Sequence, residues 1–328
     1  MKHLVIRLFL TAALALPVFP ALAAVSDEGN FGVWLERFRQ EADGQGLTGP
    51  MVKQALDGAE FLPRVIELDQ KQPEGTITFD EYIEKQLVPS RINKGQQLYH
   101  QHRQLLQRIA REYGVPAQYI VALWGIETNY GANTGGFDVV SSLATLAYEG
   151  RRAEYFKGEL VQALRILQAG HVSLANMKGS WAGAMGQCQF MPTSFWKYAV
   201  DESGDGKRDI WRSLSDVFAS TANYLRTEGW NKEIGWGIEV DVPPDLASVG
   251  SDTAMPYGEW LGLGVKPLRA GAHSPTSRQP DAALSLVRPD GVEGRAFLVT
   301  DNYKVIKHWN RSTYFATTIG LLADRIGS

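Results

Sequence analysis

Apolar residues recur at helical spacing through the first third of the chain. Between Leu98 and Ala110 they lie three, four or seven positions apart, as the buried face of a helix requires. Similar stretches, separated by short glycine-containing segments, begin near Phe31. We therefore predict that residues 31–113 are helical, and we assign residues 24–112 to a helical subdomain.

A second apolar stretch follows Gly114. Pro116 suits the first position of a helix, because its missing N–H would have no partner there, and residues 117–126 are almost all apolar. This helix is expected to deliver Glu127 at its C-terminal end. The pattern predicts further helices over residues 142–167, 215–228 and 314–325, with Ser215 as the N-cap of the second.

The pattern changes after Trp230. Residues 236–300 hold most of the late proline and glycine, and they include short β-branched runs such as residues 296–300. This composition predicts a small β-rich subdomain inserted before the last helix. The fold class is therefore mainly α, of the α+β type, and a length of 328 residues allows two or three domains or subdomains.

The first residues have the pattern of a secretory signal peptide. Lys2 and Arg7 precede a short apolar run, and Ala21-Leu22-Ala23 is a small-x-small cleavage site. We predict that residues 1–23 are removed and that the protein is exported to the periplasm. Neither this run nor any later one is long enough to span a bilayer, and no cysteine near the site could accept a lipid.

Charge and cysteine content exclude several classes of function. The formal net charge is −3, whereas nucleic-acid-binding proteins present a basic face. Cys188 is the single cysteine, which excludes intramolecular disulfides and a zinc cluster built on several cysteines. Packing alone must therefore hold the exported fold together.

Glu127 is the first candidate for chemistry. It lies in Trp124-Gly125-Ile126-Glu127-Thr128-Asn129-Tyr130-Gly131, directly after the apolar helix. A carboxyl group in such a low-dielectric wall has a raised pKa and keeps its proton near neutral pH. That property is what a general acid for glycosidic cleavage needs. The alternative is a surface glutamate without a chemical role.

A segment rich in small residues supplies candidate ligand contacts. Residues 177–195 read MKGSWAGAMGQCQFMPTSF, and their glycines and alanines would let backbone approach a ligand closely. The side chains of Ser180, Gln187 and Gln189 could bind sugar hydroxyl or acetamido groups. The alternative is a tightly packed helix–turn.

Together these motifs resemble the lytic murein transglycosylase B family. The matching pieces keep the family's order over roughly residues 75–320; they are GIETNYG, SSLATLAYEGRRAEYF, GSWAGAMGQCQFMP, YAVDESGDGKRDIW, ANYLRTEGW and NYKVIKHWNRSTYFA. The resemblance implies a lysozyme-like catalytic core over residues 113–235. It also implies a C-terminal segment, residues 301–328, that completes the groove and the helical subdomain.

The resemblance also implies roles for individual residues. Glu127 matches the catalytic acid/base. The residues that match substrate-binding positions are Ser180, Gln189, Arg151, Arg152, Tyr82, Asn223, Tyr224, Trp309 and Asn310. Arg151 and Arg152 form a basic pair suited to peptide-stem carboxylates, although a solvated helix end is the alternative. Trp309 and Phe315 depart from the family, which has tyrosine at both positions.

The implied reaction needs one carboxyl group and no cofactor. Protonated Glu127 would donate to the β-1,4 glycosidic oxygen between N-acetylmuramic acid and N-acetylglucosamine in peptidoglycan. The ionised Glu127 would then take the proton of the C6 hydroxyl, whose attack on C1 gives a 1,6-anhydro end without consuming water. The residues themselves do not distinguish this outcome from hydrolysis.

An acidic loop follows the first nine positions of an EF-hand. Oxygen ligands would come from Asp201, Ser203, Asp205, Lys207 (through its carbonyl) and Asp209. At position twelve, where a bidentate carboxylate belongs, the chain has Arg212. Two interpretations remain: a structural Ca²⁺ site of low affinity, or a metal-free turn held by its aspartates.

Two other functions fit parts of the chain. Gly186-Gln187-Cys188 is similar to the start of a papain-like nucleophile segment, with His308 as a general base; however, Gln189-Phe190 follows where Gly-Ser-Cys-Trp belongs. The other alternative is an envelope protein that binds glycan without cleaving it, which would have no need of Glu127.

Overall fold

The computed structural model describes residues 31–71, 77–269 and 274–328. Within these ranges helices predominate, and one small antiparallel sheet lies in the last third of the chain. The predicted fold class, mainly α with a β-rich part, is confirmed. The predicted signal peptide, residues 1–23, lies outside the described residues.

The described N-terminal part, residues 31–71 and 77–113, is helical, as predicted, and contains six helices. They are α1 (Phe31–Gly44), α2 (Pro50–Asp57), α3 (Pro63–Gln70), α4 (Phe79–Gln86), α5 (Pro89–Gln101) and α6 (Arg103–Tyr113). Three of them begin with proline, which has no N–H to leave unpaired. The N-terminus of α4 is closed by a reciprocal capping box between Thr78 and Glu81.

The central part surrounds one buried helix. Its elements are α7 (Ala117–Thr128), β1 (Phe137–Asp138), α8 (Val139–Glu149), α9 (Ala153–Gln168), β2 (Lys178–Gly179), α10 (Pro192–Tyr198) and α11 (Leu214–Thr227). Helix α7 is buried on nearly every side, as its continuous apolar sequence requires. Strands β1 and β2 pair antiparallel and join the Gly-rich segment to the start of α8.

Three predicted helix boundaries are wrong in detail. Pro116 is the N-cap of α7 and not its first helical residue. The helix predicted over residues 142–167 is two helices, because Gly150 adopts a left-handed conformation (φ 102°) that ends α8. Ser213, not Ser215, caps α11, since its hydroxyl accepts the backbone N–H of Asp216.

The β-rich part has its own small core. Its elements are β3 (Gly237–Asp241), β4 (Ala254–Pro256), α12 (Tyr257–Gly262), β5 (Lys266–Pro267), β6 (Ala283–Val287) and β7 (Ala296–Val299). The strands form one antiparallel sheet in the order β4-β6-β7-β3-β5. Trp260 lies fully buried at the centre of its apolar side chains, separate from the main helical core.

Two C-terminal helices return the chain to the centre. They are α13 (Asp301–Trp309), which the pattern did not predict, and α14 (Thr313–Ile326), which it did. Helix α14 packs on α4, α5 and α7, and this packing places the end of α13 beside the end of α7. No helix in the described ranges is long and apolar enough to cross a bilayer.

Candidate active site

Glu127 lies in the last turn of α7, which ends abruptly. Asn129 and Tyr130 both adopt left-handed backbone conformations (φ 50° and 62°), so the chain turns back on the helix. The Tyr130 ring covers Gly125, where a Cβ atom would lie 2.7 Å from the ring. The Tyr130 hydroxyl donates to the Arg91 carbonyl at 2.8 Å. The turn therefore ends α7 at Thr128, one residue after Glu127.

A side-chain bridge ties α7 to the Gly-rich segment. Gln187 Oε1 accepts the indole N–H of Trp124 at 2.7 Å, and Gln187 Nε2 donates to the Trp211 carbonyl at 2.8 Å. The Thr128 hydroxyl accepts the N–H of Gly131 at 3.0 Å. Gln187, a candidate sugar contact from the sequence, therefore has both ends of its amide engaged within the protein.

One hydrogen bond to Glu127 comes from the far end of the chain. Trp309 Nε1 donates to Glu127 Oε1 at 2.7 Å across a sequence separation of 182 residues. The indole N–H thus supplies a donor at a position where the family's tyrosine hydroxyl is absent. Trp309 was predicted as a substrate contact, and its bond to the carboxyl group had no signal in the sequence.

The carboxyl group of Glu127 is poised to exchange a proton near neutral pH. The side chain is only partly exposed, and protein surrounds the carboxyl group densely. Desolvation is the larger effect and raises the pKa to about 7, while the Trp309 hydrogen bond lowers the pKa and opposes it. Both protonation states are therefore populated at neutral pH, as the sequence predicted for a buried helix-end carboxyl group.

This raised pKa predicts that ionisation of Glu127 destabilises the fold. The unfolded chain has the ordinary pKa of 4.5 and the native state has a pKa of about 7, so the native state binds more protons between these values. The contribution of Glu127 to stability is thus fully present below pH 4.5 and is lost as pH rises through about 7. We expect Glu127→Gln to melt roughly a few degrees above wild type at about pH 8 and equally at acidic pH, by circular dichroism. If the difference in melting temperature between Glu127→Gln and wild type were the same at acidic pH and at about pH 8, the raised pKa would be contradicted.

Aromatic side chains form a wall behind Trp309. The rings of Tyr224 and Phe190 lie 4.6 and 5.2 Å from the Trp309 ring, centre to centre. On the other side, Tyr82 of α4 packs on Tyr314 at 5.6 Å. Burial, and then the charge of Glu127, raise the pKa of Tyr82. The structure thus brings Tyr82, Tyr224 and Trp309 together around Glu127.

The polar groups of the Gly-rich segment bind the segment itself. The Ser180 hydroxyl accepts the N–H of Ala184 at 3.1 Å. Gln189 Nε2 donates to the carbonyls of Thr134 and Gly186 at 3.1 and 2.9 Å. A Cβ atom at Gly186 would lie 2.7 Å from the Ile210 carbonyl. The expectation that the glycines admit a ligand is therefore wrong at Gly186, where the close neighbour is the protein's own backbone.

Three further residues from the sequence have structural contacts. Asn223 is buried, and its amide donates to the Tyr198 carbonyl at 2.9 Å. Asn310 is exposed, and its side-chain oxygen accepts the N–H of Ser312 at 3.0 Å. Phe315 is buried in the main core. None of these contacts involves Glu127.

Arg151 and Arg152 share one buried carboxylate. Each guanidinium donates to a different oxygen of Asp69, at 2.8 Å for Arg152, and Asp69 is almost fully buried. The guanidinium of Arg152 also lies 4.7 Å from the centre of the Phe156 ring. Asp69 therefore holds both arginines in place, and the pair is not a freely solvated helix end. Both side chains remain about half exposed on their outer side.

Cys188 and His308 do not form a nucleophile–base pair. The Cys188 thiol is buried against the Val217 carbonyl and the Thr221 hydroxyl. Burial raises its pKa to about 12, which suppresses the reactive thiolate. His308 Nδ1 instead lies 3.0 Å from a carboxylate oxygen of Glu228. The cysteine peptidase interpretation is therefore wrong, and Cys188 is a packing residue.

The acidic loop of residues 201–209 closes on its own amides. Asp201 accepts the N–H groups of Gly204 and Gly206, each at 2.7 Å. Burial raises the pKa of Asp201, but these hydrogen bonds outweigh it, so the pKa lies below its ordinary value. Arg212 points away, donating to Asn176 at 2.6 Å. In the described ranges no three acidic, histidine or cysteine side chains are placed to hold a metal.

The chain matches one family model along nearly its whole length. Residues 30–324 match the Transglycosylase SLT domain. The sequence is similar to the membrane-bound lytic murein transglycosylase B of Escherichia coli (strain K12), with 32% identity over 295 residues, 86% of this chain and 79% of that protein.

Solved structures of similar proteins share the fold. SltB3 from Pseudomonas aeruginosa, in complex with NAG-anhNAM-pentapeptide, has a TM-score of 0.86 and 44% identity, covering 91% of this chain and 80% of that one. Escherichia coli Slt35 in complex with calcium has a TM-score of 0.73 and 29% identity, covering 92% of this chain and 94% of that one.

Proposed function

The chain belongs to the family of transglycosylases that share the SLT domain, and from this premise we propose that it cleaves peptidoglycan as a lytic transglycosylase. The bond cleaved is the β-1,4 linkage between N-acetylmuramic acid and N-acetylglucosamine. The similar protein SltB3 is crystallised with a fragment that carries an anhydro-muramic end, which supports this choice of substrate and product.

Glu127 acts first as acid and then as base. Its proton passes to the glycosidic oxygen, which leaves as the hydroxyl of N-acetylglucosamine while the C1–O bond breaks. The ionised carboxyl group then takes the proton of the muramic C6 hydroxyl as that oxygen bonds to C1. Glu127 loses one proton in the first step and regains one in the second, so the enzyme returns to its starting state without consuming water.

The observation that carries this mechanism is the isolation of Glu127. Among the described residues, burial and the Trp309 hydrogen bond are the influences on its pKa, and no carboxyl group of these ranges is recorded in contact with it. Glycosidases that hydrolyse through a protein nucleophile, or through a base-activated water, place a second carboxylate opposite the acid. A single carboxyl group instead suits a nucleophile that belongs to the substrate.

Mass spectrometry of digested peptidoglycan tests the reaction. An anhydro product is lighter than the hydrolytic product by one water, and it carries no reducing end. We expect only anhydro-muramic ends from the purified protein. Products with a reducing muramic end, formed in the same digest, would show that water is the nucleophile.

We propose that the predicted groove residues bind the glycan strand. Tyr82 and Trp309 are partly exposed and present ring surfaces beside Glu127, suited to the apolar faces of sugars; Tyr224 is buried and supports Trp309 from behind. Ser180 and Gln189 hold the Gly-rich segment in shape. The Ser180 hydroxyl oxygen already accepts two backbone N–H groups, so it would donate its proton to a sugar oxygen, whereas Gln189 would accept through Oε1. Asn223 and Asn310 complete the set. These assignments follow the family pattern and are tested by substitution at each position.

Arg151 and Arg152 are proposed to bind carboxylates of the peptide stem with their outer N–H groups. Replacing both alone would leave Asp69 as a buried, unpaired charge, which is strongly destabilising. The test therefore combines Arg151→Gln and Arg152→Gln with Asp69→Asn. We expect KM to rise more on stem-bearing glycan than on stem-free glycan, with kcat little changed.

Asp69→Asn alone is the control for this experiment, because it keeps both cations and removes only their internal partner. Its KM on stem-bearing glycan should stay at or below that of wild type. An equal rise in KM on both substrates in the triple variant would reject stem recognition.

The loop of residues 201–209 is proposed to stabilise the core and to take no part in the reaction. Slt35 is crystallised in complex with calcium, whereas here Arg212 occupies the position of the twelfth ligand and the loop aspartates bind their own amides. We expect millimolar Ca²⁺ to raise Tm by no more than roughly a few degrees. Arg212→Glu should enlarge the rise, and Asp205→Ala should abolish it. Loss of turnover on chelation, with the fold intact, would contradict this.

We propose that the protein acts in the periplasm after removal of residues 1–23. The support is the basic start, the short apolar run and the Ala21-Leu22-Ala23 site, together with a substrate that lies outside the cytoplasmic membrane. N-terminal sequencing of protein recovered from the periplasm tests it, with Ala24 as the expected first residue.

A further inference from the structure

A cluster of charges, centred on one mostly buried carboxylate, lies directly behind the aromatic wall. Glu228 follows the last residue of α11 and is mostly buried. One of its oxygens accepts Lys197 Nζ at 2.9 Å and the Tyr198 hydroxyl. The other lies 3.0 Å from His308 Nδ1. A single carboxylate therefore joins the ends of α10, α11 and α13.

Two partners of Glu228, Tyr198 and His308, connect it to the aromatic wall. Tyr198 packs on Tyr224 with ring centres 4.2 Å apart, and Tyr224 packs on Trp309 at 4.6 Å. His308 is the residue directly before Trp309. The backbone N–H of Glu228 also binds the Tyr224 carbonyl at 2.9 Å, so Glu228 and Tyr224 are rigidly related.

We propose that Glu228 is a positioning residue, which fixes the indole of Trp309 against Glu127 by holding His308 and Tyr198. The proposal rests on the assignment of Glu127 as the catalytic acid. Helix α13 ends at Trp309, and a helix end frays unless side chains hold it. The His308–Glu228 pair supplies that hold one residue before the indole.

The charge on Glu228 suits this role. The pKa of Glu228 lies below its ordinary value, first because of the Tyr198 hydrogen bond and then because of Lys197 and His308. Glu228 thus stays ionised and accepts on both oxygens. A glutamine at this position could accept on one side only, and it would release either His308 or the Lys197–Tyr198 pair.

The proposal predicts the direction of a pH shift. A looser Trp309 donates a weaker hydrogen bond to ionised Glu127, so the pKa of Glu127 should rise. Removal of the negative charge of Glu228 acting only through space would stabilise the ionised form and lower that pKa. The other titratable groups facing Glu127, Tyr82 and Cys188, are unchanged in the experiment.

The experiment is a double-mutant cycle. Its readout is the alkaline limb of kcat/KM, that is, the pH at which kcat/KM declines on the alkaline side. We expect Glu228→Gln to move this limb to higher pH by roughly half a unit. The same substitution in a Trp309→Phe background should give no further shift, because the indole N–H is already absent. A downward shift, or an equal shift in both backgrounds, would overturn the proposal.

Three further variants separate positioning from general stability. His308→Ala should reproduce the shift, whereas His308→Asn, whose amide nitrogen can replace Nδ1, should keep the wild-type limb. Lys197→Met removes another partner of Glu228, one without a link to α13, and should leave the limb unchanged. A shift in Lys197→Met equal to that in His308→Ala would assign the effect to stability and reject the proposal.

Direct titration of Glu127 distinguishes this inference from the proposed function. The carboxyl carbon of isotopically labelled Glu127, identified by its loss in Glu127→Gln, reports the pKa by NMR without turnover. An upward shift in Glu228→Gln would support the positioning role even in a protein that fails to cut peptidoglycan. An unmoved pKa in an active enzyme would refute it while leaving the reaction intact.

Discussion

Replacing Glu127 with glutamine is expected to reduce kcat on purified peptidoglycan by about 10²–10⁴-fold, the usual contribution of general acid catalysis. The amide keeps the shape of the carboxyl group, and its oxygen can still accept the indole N–H of Trp309. It carries no proton to donate and cannot serve as a base in the second step. Release of soluble anhydro-muropeptides, measured by chromatography, gives the rate.

Binding and cleavage must be measured on the same variant. Glu127→Gln should still sediment with insoluble peptidoglycan, because the aromatic wall is intact. Glu112→Gln is the matched control, since Glu112 is exposed on α6 and lies in no proposed site. Wild-type release of muropeptides by Glu127→Gln would show that Glu127 is not the catalytic acid/base.

The spacing of apolar residues predicted most of the helical fold, because each of these helices has its own apolar positions and capping residues in the local sequence. The apolar run of residues 117–126 is continuous, and burial on all sides of α7 is the reason. Helix α13 was missed because it is only nine residues long and most of these residues are polar. Its position depends on packing beside α14, which no local signal encodes. Ser213 and Ser215 are both good caps by type, and only the geometry of the turn selects between them.

The site was predictable where chemistry and local burial coincide and not where distant segments meet. Glu127 has both its burial and its motif within ten residues. The donor to its carboxyl group comes from Trp309, and the residue that holds Trp309 in place is Glu228; these contacts connect segments that are far apart in sequence. Asp69 similarly gives Arg151 and Arg152 a partner 82 and 83 residues away. Residue type alone does not reveal such pairings.

Removing the indole donor should move the catalytic pKa upward. The Trp309 hydrogen bond favours the ionised form of Glu127, and hydrogen bonds to charged groups contribute about 1.5–3 kcal/mol. One pKa unit corresponds to about 1.4 kcal/mol, so Trp309→Phe should raise the pKa of Glu127 by about one to two units. The alkaline limb of kcat/KM should therefore move from near pH 7 toward higher pH.

Trp309→Phe keeps a ring on Tyr224 and Phe190, so a change in the limb reports the lost N–H and not a lost wall. The absolute rate at neutral pH should fall, because the carboxyl group loses the contact that orients it, while the fraction of this rate retained under alkaline conditions should rise. Trp309→Tyr is the companion variant: its hydroxyl restores a donor, as in the family pattern, and should return the limb toward the wild-type position. If Trp309→Phe and wild type share one alkaline limb, the indole N–H does not tune the acid, and burial alone sets the pKa of Glu127.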